Sequence, residues 1–361
     1  MQSNYKPRQH SCIQNYNRKI YEHQCAILLL LLLLLYLPKE VKQMIARKKT
    51  RIYNNKITRK ILLHTEAGFF YTHTINTDNT KPTVMKKIAI QGIHGSFHDI
   101  ASHQYFEDED IELLCCDTFE QVFETVKKDP EALAVVAIEN TIAGSLLHNY
   151  ELLRDSNLTI IGEHKLHIEH SLLILPEENE SDIVEVNSHP VALMQCRSFL
   201  KTHPDWKVVE VEDTAGAAAT IGNKHLSGHA AICSKYAAPI YNMKVAYEGI
   251  EDNKHNFTRF LILADPYNAD KLRDKYKSDK SSIVFAVPHE SGSLSQILSI
   301  FSFYNINLTK IQSLPIIGHE WEYLFYVDLT YDNYNRYMQS IEATRPLIKN
   351  IKLLGEYESF K

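Results

Sequence analysis

The sequence predicts an α/β protein of two consecutive lobes followed by a smaller βαββαβ unit. Three observations predict it. Short apolar runs alternate with helix-patterned runs from Met85 onward, the alternation restarts near residue 183, and its order changes again at Ser281. At 361 residues there is room for more than one domain, since single cores stop growing near about 250–300 residues.

Residues 1–84 read as an extension with no part in that fold. Of the chain's 39 Lys+Arg and 44 Asp+Glu, this segment holds 14 and 4, leaving 25 and 40 for the rest. An acidic body excludes nucleic acid as a partner, because phosphate binding needs a basic face. The stretch 26–37, AILLLLLLLLYL, would make a helix about 18 Å long, short of a roughly 30 Å hydrocarbon core. It follows Arg18-Lys19 as a signal-peptide core would, yet Pro38-Lys39-Glu40 stands where a small-x-small cleavage site belongs. The six cysteines form no C-x-x-C pair, which predicts reduced, buried thiols and a cytoplasmic protein.

The first lobe opens with the strand KKIAIQG (86–92) and a helix from Ser96. ELLCCD (112–117), a helix over TFEQVFETVKK, and LAVVAIEN (133–140) follow. Apolar strands separated by helices imply a mostly parallel sheet covered on both faces. His164, His167 and His170 are evenly spaced in GEHKLHIEHSLLIL, but strand alternation turns successive ones to opposite faces, so no metal site is expected. The second lobe comprises IVEVNS (183–188), a helix led by Pro190, WKVVEV (206–211), TAGAAATIGNKHL and HAAICS (229–234). NFTRFLIL then reads as a strand returning to the first lobe, which would put Thr258 at a hinge. Two lobes in succession suggest a cleft.

Strand ends and the helix N-termini after them attract anions, through free backbone N–H groups. Four loops qualify. GIHGSFHDIA offers Ser96, and IENTIAGS offers Glu139, Asn140, Thr141 and Ser145. NSHPVALMQC offers Ser188 and Gln195, and EDTAGAAA offers Thr214. The Thr258-Arg259 pair at the head of the returning strand adds a hydroxyl and a guanidinium. Strand alternation turns Arg259 away from Thr258, and a structural ion pair is its alternative role. No metal or cofactor motif is present, and G-x-G-x-x-G is absent.

From Ser281 the strands SIVFAVPHE, INLTKIQSLPI, EWEYLFYVDLT and IKLLGEYES and two helices follow the ferredoxin-like βαββαβ order. Leu294, Ile297, Leu298 and Phe301 should face the sheet. Residues 265–280 form a polar linker.

Taken in order, GIHGSFHDIA, AIENTIAGS, SHPVALMQC, DTAGAAA, AAICS and NFTRFLIL resemble the catalytic domain of prephenate dehydratase, over residues 86–264. Residues 281–358 resemble the ACT regulatory domain that follows it. The resemblance implies a periplasmic-binding-protein-like catalytic domain with prephenate in the cleft and no cofactor. It implies loss of carbon dioxide and hydroxide to give phenylpyruvate, in phenylalanine biosynthesis. The family's essential threonine falls on Thr258. Asn140, Ser188, Gln195, Arg259 and Glu139 fall on positions tied to activity, and Ser96, Thr141, Ser145 and Thr214 are candidate substrate contacts. It further implies feedback by L-phenylalanine, held near Gly292, Ser293, Leu294 and Ser313 at a subunit interface of a homodimer or homotetramer. Gln312-Ser313-Leu314-Pro315 departs from the family's Glu-Ser-Arg-Pro. Two other readings share these residues: an arogenate dehydratase, and a non-catalytic two-lobed receptor for a small acid.

Overall fold

A computed structural model describes residues 63–64, 70–71, 85–107, 109–272, 277–316 and 322–360. The apolar stretch 26–37 lies outside the described residues. The chain divides into two compact units, Met1–Thr80 and Lys81–Lys361. In the first, Leu63–His64 pairs antiparallel with Phe70–Tyr71. No helix among the described residues is long and apolar enough to cross a membrane.

The second unit begins with lobe 1. Its strands are β1 (Lys86–Gln91), β2 (Ile111–Cys116), β3 (Leu133–Asn140), the short β4 (Gly144–Ser145) and β5 (Thr159–His167). Its helices are α1 (Phe97–Tyr105), α2 (Phe119–Lys128) and α3 (Leu147–Asp155). Ser96 and Thr118 start α1 and α2 by accepting the backbone N–H groups of Asp99 and Gln121. Val122, Phe123 and Val126 form the buried face of α2. Lobe 2 holds β6 (Ser171–Ile174), β7 (Glu185–Ser188), β8 (Lys207–Glu210), β9 (His229–Cys233) and β10 (Lys244–Tyr247). Its helices are α4 (Pro190–Gln195), α5 (Arg197–Lys201), α6 (Thr214–Lys224) and α7 (Ala237–Ile240). The chain then returns to lobe 1 as β11 (Phe257–Ala264), followed by α8 (Pro266–Leu272).

The two sheets repeat one plan. In lobe 1 the order is β2-β1-β3-β11-β5, with β11 alone reversed and the other four running one way. In lobe 2 the order is β8-β7-β9-β6-β10, again with only the fourth strand, β6, reversed. The reversed strands are the two by which the chain enters each sheet after crossing between the lobes. Gly95, in the loop from β1 to α1, has φ +83, and a Cβ there would meet Ala237 of lobe 2 at 3.0 Å. Glycine is thus required twice over, for its backbone angle and for the approach of the lobes. Cys116, Cys196 and Cys233 are buried as expected, but Cys115 is exposed, because β2 is an edge strand.

β3 and β11 are buried on both faces, and alternation divides them between two cores. Leu133, Val135, Phe260 and Ile262 enter one cluster, while Ala134, Val136, Leu261 and Leu263 enter the other. Their pairing matches Thr258 with Asn140 and Arg259 with Glu139, but Phe260 with Ala137. Ile138 is therefore an extra residue on β3, a bulge that turns Asn140 onto the same face as Ala137.

The C-terminal unit has β12 (Lys280–Ala286), α9 (Ser293–Phe303), β13 (Asn307–Pro315), β14 (Tyr323–Thr330), α10 (Tyr334–Thr344) and β15 (Lys349–Tyr357). Its sheet order is β13-β14-β12-β15, and β15 continues into lobe 1 through one parallel pair, Gly355 with Ile160. Leu294, Ile297 and Phe301 pack against this sheet as expected, whereas Leu298 lies outside that cluster. The opposite sheet face supplies Val284, Leu314, Tyr326, Leu354 and Tyr357 to the core of lobe 1. Leu314 is thus a core residue.

Candidate active site

A cavity of about 440 Å³ lies between the lobes, within the range of roughly 300–1,000 Å³ usual for small-molecule sites. Ser96, Asn140, Gln195, Thr214 and Thr258 all line it. Asn140 is the organising side chain. Its Oδ1 accepts the backbone N–H groups of Ile142 (2.9 Å) and Ala143 (2.8 Å), so its Nδ2 must face the other way. There it donates to Asn256 Oδ1 at 2.7 Å and to Thr258 Oγ1 at 3.0 Å, with Phe257 O a third acceptor at 3.2 Å. A hydroxyl that accepts from an amide keeps its own proton to give. Gln195, at the end of α4, brings lobe 2 to the same place. Its Oε1 accepts from Asn256 Nδ2 (3.0 Å) and from His170 Nε2 (2.9 Å).

Five other candidates lie outside the lining. Ser188 is fully buried and donates to the Ile232 carbonyl, tying β7 to β9 rather than facing a ligand. Thr141 donates to the His255 carbonyl at 2.9 Å and so pins the hinge. Ser145 is held by Lys310. Arg259 and Glu139 face the C-terminal unit. Arg259 is 6% exposed and bonds Glu163 (2.7 Å), Glu139 (3.1 Å), Asp328 (2.5 Å) and the Tyr357 hydroxyl (3.0 Å). Burial opposes its charge, but Asp328, Tyr357 and the two glutamates outweigh that and hold its pKa well above the ordinary arginine value. Lys310 completes the Glu139 pair, and Lys280 the Glu163 pair. Against burial, Lys310 and Arg259 keep the Glu139 carboxyl below the usual range. The same holds for Glu163 through Arg259 and Lys280. This is the structural ion pair that alternation allowed for Arg259. Its guanidinium has no access to the cavity.

Sequence reasoning assigned no role to several lining residues. His170 is buried beside Gln195, with burial pushing its pKa down. His98 accepts the Ala137 backbone N–H through Nε2 at 3.3 Å, and burial lowers its pKa to about 4, so it is neutral. Asp213 caps α6, and burial raises its pKa against the helix N–H groups that lower it. Only the polar character of Asn256, just before an apolar strand, could have drawn notice; it is fully buried. Among the described lining residues there is no lysine or arginine, while Asp117, Glu120, Glu212 and Asp213 are acidic. First-turn residues of α1, α2 and α6 are among the lining, and the positive ends of those helix dipoles are what the cavity offers an anion in place of side-chain cations.

Residues 88–268 match the family model described as prephenate dehydratase. The chain belongs to the prephenate dehydratase family. It is 31% identical, over 78% of its length, to 74% of a bifunctional chorismate mutase/prephenate dehydratase of Buchnera aphidicola. It is 37% identical, over 67% of its length, to 64% of arogenate dehydratase/prephenate dehydratase 2 of Arabidopsis thaliana. Among solved structures, a prephenate dehydratase from Arthrobacter aurescens in complex with L-Phe superposes with a TM-score of 0.67 at 27% identity. That likeness covers 75% of this chain and 89% of the other. A structure described as a novel type of quorum-quenching acylase fits equally well, with a TM-score of 0.67 at 26% identity over 76% of this chain and 98% of its own. The fold therefore hosts more than one described reaction, and the side chains in the cleft must carry the choice.

The prephenate dehydratase match ends before the βαββαβ unit. In that unit a cavity of about 310 Å³ is lined by Pro288, Gly292, Ser293, Leu294, Tyr323 and Phe325, among others. Ser313 is not among its lining residues; it lies on β13, paired with Phe325.

Proposed function

We propose that this chain catalyses the decarboxylating dehydration of prephenate to phenylpyruvate. The observation that carries the reading is the Thr258 hydroxyl, which accepts from Asn140 and lines the interlobe cavity, so that its own proton is left to donate there. In the reaction the bond to the quaternary-carbon carboxylate breaks and carbon dioxide leaves. Its electron pair moves into the ring, and the ring hydroxyl departs with a pair of electrons as the ring becomes aromatic. Thr258 donates a hydrogen bond to that departing oxygen, which leaves as water after taking one proton. Ser96, Thr214 and the helix N-termini around them hold carboxylate, in place of the missing cations. Asn140 and Gln195 orient the donor and the substrate, while Glu139, Thr141, Ser145, Ser188 and Arg259 support the loops.

The acidic lining favours a second reading, in which the substrate is arogenate and its ammonium group meets a cavity carboxylate. Purified protein offered prephenate, arogenate and both in competition decides between them by the product formed. Binding without any product would leave only a two-lobed acid receptor. We further infer that L-phenylalanine binds in the C-terminal cavity; the Arthrobacter aurescens enzyme to which this chain is similar was solved in complex with L-Phe. The proposed assembly is a homodimer or homotetramer, measurable by light scattering, and the proposed location is the cytoplasm.

A further inference from the structure

The side chain of Asn256 is used by nothing in the reading above, yet among the described residues it alone joins Gln195 of lobe 2 to Asn140 of lobe 1. Its orientation is dictated from outside. Because the Ile142 and Ala143 N–H groups occupy Asn140 Oδ1, Asn140 can only donate towards Asn256. Asn256 must then present Oδ1 to Asn140, which turns its Nδ2 to Gln195. Gln195 must in turn present Oε1, and the same oxygen takes the His170 Nε2 proton. With Asn256 fully buried, water cannot replace either bond. Its backbone carbonyl separately accepts the Ile168 N–H at 2.8 Å, so the chain path does not depend on its side chain.

We propose that Asn256 is a positioning residue that sets the amide orientation of Gln195 and holds in place the Asn140 amide, already turned by the Ile142 and Ala143 N–H groups, from which the Thr258 hydroxyl accepts. The proposal rests on the dehydratase reading of the site. Only a side chain with one acceptor and one donor at these two points does this. Asparagine does, and so does a protonated carboxylic acid; a carboxylate and an alanine do not. His170 is the one titratable side chain bonded into this chain among the described residues.

The test compares full-length wild type, Asn256→Ala and Asn256→Asp for kcat and KM between about pH 5 and 8, with melting followed by near-ultraviolet circular dichroism. Asn256→Ala is expected to stay folded and lose about a hundredfold in kcat with KM changed far less, as misplacement near the chemistry does. Asn256→Asp is expected to approach wild type at low pH, where the buried introduced carboxyl is protonated, and to fall away as pH rises. A folded Asn256→Ala with kcat within threefold of wild type would overturn the proposal. So would an Asn256→Asp variant whose ratio to wild type stays low at every pH, and this second variant decides the matter if alanine fails to fold. Wild type inactive on both prephenate and arogenate would instead overturn the dehydratase reading, and this proposal with it.

Discussion

Replacing Arg259 by methionine removes the cation at the centre of a charge-balanced cluster. Arg259, Lys280 and Lys310 stand against Glu139, Glu163 and Asp328. After the change Lys280 still answers Glu163 and Lys310 still answers Glu139, but among the described residues the Asp328 carboxylate keeps only the Ser282 hydroxyl at 2.6 Å. Stranding one buried charge costs about 3–5 kcal/mol. For a unit of this size that corresponds to a melting temperature lower by roughly 10 °C. Adding Asp328→Asn should recover part of the loss, because the stranded charge goes with it. Acid adds a second signature. The folded pKa values of Glu139 and Glu163 lie below the unfolded ones, so their stabilisation is complete above about pH 4.3. It is lost as pH falls through the folded values. The assay is calorimetric melting from pH 3 to 7, beside turnover at 15 °C. A variant that melts like wild type but turns over a thousandfold more slowly would refute the structural assignment and return Arg259 to the chemistry.

Thr258→Ala should fold normally and lose two to three orders of magnitude in kcat, the effect of about 3–4 kcal/mol for a preorganised donor. Thr258→Ser should keep measurable activity, and near-normal turnover by the alanine variant would remove Thr258 from the mechanism. L-Phenylalanine should bind intact enzyme by calorimetry and lower turnover several-fold, with a coupling of about 1–3 kcal/mol. Leu294→Lys, in the lining of the C-terminal cavity, should weaken that binding at least tenfold; an unaltered titration would place the effector elsewhere. A chain beginning at Met85 should match the full chain in turnover, and lost activity would assign residues 1–84 a part in the enzyme.

The two lobes and the βαββαβ unit were legible because apolar runs, the helix start at Ser96, and Pro190 at the first turn of α4 are local signals. Thr258 and Arg259 were legible as facing opposite ways, since alternation along one strand needs no partner. Asn140 was not. Plain alternation puts it on the face opposite Ala137, and only the extra residue Ile138, defined by pairing with β11, brings it round. Ser188 was misleading for the opposite reason: a serine at a strand end suggests a ligand, but the Ile232 carbonyl that satisfies it lies 44 residues along the chain. The partners of Arg259 come from four separate strands, and no local pattern names them.

The single pair between Gly355 and Ile160 has a consequence for solubility. Without it, β5 and β15 would each end a sheet with unpaired N–H and C=O groups, an invitation to strands of other molecules. Here each open edge lies against the other. Glycine permits that approach, since a Cβ at residue 355 would stand 2.3 Å from the Ile160 carbonyl oxygen. A larger residue there would part the seam and offer two apolar-flanked edges to solvent at once. The first symptom of such a change would be self-association during expression, with the cleft and its hydrogen bonds intact in whatever protein remained in solution.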